Sequence, residues 1–64
     1  RLVGEIWLCE SLQEDGRMFS RVMSYAYRGD AVMLLVPFDC LDAVEDMVRE
    51  WGLSSEVFVQ AILD

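Results

Sequence analysis

No lysine, histidine, asparagine or threonine occurs anywhere in the 64 residues. Without histidine the chain lacks the commonest general base and the commonest transition-metal ligand. Without lysine it can form no Schiff base and offers no side-chain acceptor for ubiquitin. The adjacent Ser54 and Ser55 therefore have no neighbour of the usual kind to activate a hydroxyl, and they read as helix caps. A metal site is equally hard to build. Asp39, Asp42 and Asp46 lack the glycine-containing loop spacing of a calcium site and fall along a helix face. No phosphate-cradling glycine loop is present. No catalytic residue, metal ligand or cofactor is expected, and an active site would need groups from another chain.

Positive charge is also scarce. Five arginines face 12 acidic residues, for a net charge of −7. Phosphate-binding surfaces need clustered basic side chains, so the balance argues against nucleic acid and against anionic membranes. No apolar run approaches the ~20 residues of a membrane span, and no signal-peptide pattern is visible. Two cysteines, Cys9 and Cys40, are too few for a disulfide framework or a zinc site. Both sit among apolar residues and read as free buried thiols, which suggests an intracellular compartment, cytoplasmic or nuclear. Arg28-Gly29-Asp30 spells an adhesion tripeptide, but at this position it reads as a helix end and a loop charge.

What the chain has in excess is apolar surface. It is 55% hydrophobic with a mean hydropathy of +0.28, against roughly 45–50% apolar residues in an ordinary globular domain. Residues 1–64 make one small domain or a piece of a larger one. A domain of this size hides only about 60% of the surface its unfolded chain exposes. The surplus calls for a second copy or another protein to cover it.

The pattern along the chain predicts an α+β fold. Residues 2–9 read as a strand, with β-branched and aromatic residues clustered and Gly4 marking a bulge or strand start. Ser11 and Glu14 have capping-box spacing, with Asp15 as an alternative cap. Residues 17–28 form the clearest helix. Met18, Phe19, Val22, Met23 and Ala26 share one face, and Arg17, Arg21, Ser24 and Arg28 the other. Gly29 then ends it. Residues 31–37 are a continuous apolar run, which suits a strand buried on both faces. Residues 40–51 form a second helix, capped by Asp39, with Leu41, Val44, Met47, Val48 and Trp51 on its apolar face and Gly52 at its end. Residues 55–63 fit either a helix or a strand; the helical face Val57, Phe58, Ala61 and Ile62 favours the helix.

Two families share parts of this pattern. Phe19, Val22, Met23, Tyr25, Ala26, Tyr27, Gly29 and Asp30 resemble the helix and turn in the second half of a BTB/POZ domain. Ile6-Trp7-Leu8 resembles the strand before it. Val44, Met47, Val48, Trp51, Gly52 and Leu53 resemble the helical pair that closes that domain. The resemblance implies self-assembly or binding to partner proteins, and an adaptor role of the kind that serves cullin-type ubiquitin ligases. A second resemblance, over residues 31–62, is to ribbon-helix-helix regulators, carried by Val36-Pro37, Gly52-Leu53-Ser54, Ser55-Glu56-Val57 and Ala61-Ile62. It implies a dimer that binds DNA through its strand. Here that strand, Val32-Met33-Leu34-Leu35-Val36, has no side chain able to hydrogen-bond a base edge.

The expectation is a non-catalytic protein-interaction or oligomerisation module, with a dimeric ribbon-helix-helix regulator as the alternative. Large apolar side chains dominate interface energetics. Trp7, Met33, Leu35, Phe38, Trp51 and Phe58 are accordingly the candidate contact residues.

Overall fold

The computed structural model describes residues 1–62; the side chains of Ser11, Gln13, Glu14 and Asp15 lie outside the description, and with them the expected capping box and the alternative Asp15 cap. Helix and strand are combined in a small sheet-plus-helix arrangement, the α+β class that the pattern along the chain predicts. Strand β1 spans Leu2–Ile6, helix α1 Asp15–Tyr27, strand β2 Ala31–Pro37, helix α2 Leu41–Trp51 and strand β3 Val57–Ile62. Short 3-10 turns at Cys9–Glu14 and Phe38–Cys40 lead into the two helices.

Both helices stop where glycine permits a left-handed residue. Gly29 has φ of 85° and Gly52 of 75°. After α1 the Gly29 and Asp30 amides donate to Ala26 and Tyr25 carbonyls at 3.0 and 3.1 Å. After α2 the Gly52 and Leu53 amides donate to Arg49 and Val48 at 3.0 and 3.2 Å. These bonds satisfy carbonyls that the helix ends would otherwise leave open. At the start of α2 the expected cap is corrected: the N-cap is Cys40, without a side-chain hydrogen bond, because Asp39 is taken up in the 3-10 turn.

The strands lie in the order β1-β2-β3, and both pairings are parallel. A parallel pair cannot be joined by a tight hairpin, so each connection carries a helix. Crossovers of one hand in a simple sequential order leave successive helices on the same side of the sheet. The packing agrees. Met18 and Val22 of α1 and Val44 and Val48 of α2 enter one core with Val32, Leu34 and Val36 of β2. At the helix–helix seam Trp51 meets Phe19 edge-on at 5.3 Å and Trp7 at 6.4 Å.

Three sequence expectations are corrected here. Residues 57–62 form a strand rather than the favoured helix. Two turns of isolated helix are weakly stable, whereas the far edge of β2 offers Val57–Ile62 a ladder of backbone bonds. Residues 2–9 are not one strand: β1 ends at Ile6, and Cys9 begins a 3-10 turn. The cysteines are not free. Cys9 and Cys40 form a disulfide with Cα atoms 5.8 Å apart. Parallel pairing explains it, since β1 and β2 run the same way and deliver the residues that follow them to the same end of the sheet.

Candidate functional site

A further correction defines the site. β2 is buried on one face only. Val32, Leu34 and Val36 are fully buried, whereas the alternate residues Ala31, Met33, Leu35 and Pro37 are partly exposed. Both helices cover the first face, and no element among the described residues covers the second.

The strand registers give the open face its layout. Gly4, Met33 and Phe58 lie in one row across the three strands, Ile6, Leu35 and Gln60 in the next, and Pro37 and Ile62 beyond it. Leu2 and Ala31 lie in the row before. Leu2, Ile6 and Phe58 are 61%, 68% and 49% exposed. None of these ten residues ionises. The exposed carboxylates Asp42, Glu45, Asp46 and Glu50 belong to α2, in the opposite layer. Gly4 puts no side chain into its row, and a Cβ added there would meet nothing within 4 Å, so the position is open.

The edges of the sheet are also open. The Trp7 amide donates to Leu35 and the Ala31 amide to Arg1, both at 2.9 Å, which leaves the backbone groups of Leu2, Gly4 and Ile6 pointing outward from β1. Shallow clefts of about 510 and 600 Å³ run beside β1 and β3.

The covered face holds one acidic side chain, Glu5, and it is fully engaged. Its carboxylate accepts from the Trp7 indole Nε1–H and the Tyr25 hydroxyl, each at 2.8 Å, and pairs with Arg21 Nε at 3.1 Å. The Glu5 side chain is only 12% exposed. With Tyr25 and Arg21 supplied from α1 and Trp7 from just after β1, the cluster fastens the helix to the edge strand. Among the described residues no three acidic, histidine or cysteine side chains gather as a metal site.

The six candidate contact residues separate. Met33, Leu35 and Phe58 share the open face. Phe38, 73% exposed, projects at the carboxyl end of β2. Trp7 is 6% exposed and belongs to the core; Trp51 is half-buried against it. Sequence reasoning missed Leu2, Ile6 and Ile62. The signal for the first two was the period-two pattern Leu2, Gly4, Ile6, obscured by the apolar Trp7 and Leu8 that follow.

The class defined by this geometry is a three-stranded parallel sheet with helices on a single side. Compared with known proteins, the chain matches no family model, no curated protein and no solved structure. Among the described residues no helix is long and apolar enough to cross a membrane.

Proposed function

We propose that the chain is a non-catalytic interaction module that docks onto protein through the open face of its sheet. One observation carries this reading: a parallel sheet exposes an uncharged face that includes Leu2, Ile6, Met33, Leu35 and Phe58. Parallel sheets occur almost entirely with both faces covered, and contiguous apolar patches on monomers commonly mark contact sites. The lack of histidine and lysine in the sequence and the satisfied state of Glu5 support a binding role over a catalytic one. An adaptor role of the kind implied by the BTB/POZ resemblance fits within this reading. Nucleic acid is disfavoured by the net charge of −7. The ribbon-helix-helix alternative gains no support, because a ribbon needs a strand with a free edge and β2 is paired on both sides. An intracellular site would now rest on the adaptor reading alone, since the thiols that suggested it are joined.

The test is an apolar fluorescent dye added to the natively folded chain at high dilution. Wild type should bind it, and Leu35→Glu should lose binding while keeping the wild-type unfolding temperature. A folded wild-type chain that binds no dye at any concentration refutes the reading.

A further inference from the structure

We infer that the occupant of the open face is a second copy of this chain, stacked sheet on sheet about a two-fold axis that runs along β2. The inference rests on the proposed docking role of that face and names its partner.

Charge is the first argument. The face carries no ionisable side chain, whereas the exposed acids of α2 lie in the helical layer. Stacking the two open faces places the acidic layers on the outside, with two sheets between them. Stacked sheets sit about 10 Å apart, so the α2 acids of the two copies stay well beyond the ~8 Å screening length of physiological salt.

Shape is the second. A two-fold axis along β2, in the plane between the faces, sets β2 over β2 and β1 of each copy over β3 of the other. Gly4, Met33 and Phe58 occupy one row. The operation therefore lays Phe58 over the partner's Gly4 and Met33 over the partner's Met33. An exposed aromatic ring meets the one position in the row without a side chain, and it does so twice. Aligned sheets rotate by about 30°. At about 4.8 Å from the axis this moves each pair by roughly 2.5 Å, less than one residue repeat.

Area separates a transient association from an obligate one. With strands about 4.8 Å apart and about 3.3 Å per residue, the face covers roughly 400–500 Å² once side-chain margins are included. Two copies would hide about 800–1,000 Å², the lower end of specific association. An interface of this size suits a weak, reversible dimer rather than an obligate one.

Sedimentation equilibrium of the 64-residue chain over a concentration series tests this. Wild type should pass reversibly from monomer to dimer. Gly4→Phe puts a ring where the partner's Phe58 would sit, at a position whose added Cβ meets nothing in the monomer, and should weaken dimerisation by about tenfold or more. The exchange double variant, Gly4→Phe with Phe58→Gly, swaps the two positions and should recover most of the loss. Thermal unfolding at high dilution confirms that each variant is folded. Wild type that stays monomeric to millimolar concentration while still binding the apolar dye overturns the second copy and leaves the docking role standing. Monomer without dye binding sinks both. A dimer indifferent to Gly4→Phe overturns the stacking.

Discussion

Leu34 and Leu35 are consecutive residues of one strand with identical side chains, and they inhabit different environments. Leu34 is fully buried under both helices, and Leu35 belongs to the partly exposed open face. The two faces of the sheet differ in the same way. One is packed with Val32, Val36, Val44 and Val48 and stabilises the fold. The other is as apolar, yet contributes little to folding until something covers it. Hydrophobic residues at both positions therefore do not report the same selection, and substitution should separate them. The largest effect is expected at Leu34→Ala, about 3–5 kcal/mol from lost burial and the cavity left behind. A domain of this length has only about 3–10 kcal/mol in total, so the urea midpoint should collapse or the chain should unfold.

The covered face depends next on the disulfide that pins the carboxyl ends of β1 and β2. Cys9 and Cys40 are separated by 31 residues. Closing a loop of that length in the unfolded chain stabilises the folded one by about 3–4 kcal/mol on the chain-entropy account. Cys9→Ser with Cys40→Ser should lower stability by that amount in chemical denaturation. A loss below about 1 kcal/mol would mean that core packing alone holds the two strand ends together.

How much of this was legible follows from range. The helices were, because a 3.6-residue period and the glycines Gly29 and Gly52 are local signals that tertiary context reinforced. The one-sidedness of β2 was not. Ala31-Val-Met-Leu-Leu-Val-Pro is apolar at every position, and alternation becomes visible only when both helices fall on one side. Val57–Ile62 carries a helical face and a β-branched run at once, and the free edge of β2, distant in sequence, decides between them. The cysteine pairing needed the parallel register. The Glu5 cluster needed Tyr25 and Arg21 brought across from α1, and no spacing within the sequence announces that.

That cluster supplies a third test, smaller than the first two. Glu5→Ala leaves the Trp7 indole N–H and the Tyr25 hydroxyl without their acceptor. One unsatisfied buried donor costs about 1–3 kcal/mol. Arg21 is 67% exposed and can return to water, so its share is small. A loss of about 2 kcal/mol is expected in thermal unfolding. Glu5→Gln keeps one acceptor and should fall between wild type and Glu5→Ala. No loss in either variant would shift the covered face from a packed and fastened layer to a packed one only.

The smallest effect is the most discriminating. Leu35→Gln stays within a side chain of similar length and places a polar tip on a face that water already reaches. In the dilute monomer it should cost about 1 kcal/mol or less, since Leu35 is only partly buried and leaves no enclosed cavity. At high concentration the prediction differs. Whatever covers the face binds the folded chain and not the unfolded one, so association raises apparent stability by mass action. Wild type should therefore unfold at a higher temperature as concentration rises, and Leu35→Gln should show a flatter dependence. Leu34→Ala should be destabilised at every concentration. If Leu35→Gln lost as much stability in the dilute chain as Leu34→Ala, the two leucines would share one environment and the contrast between the faces would disappear.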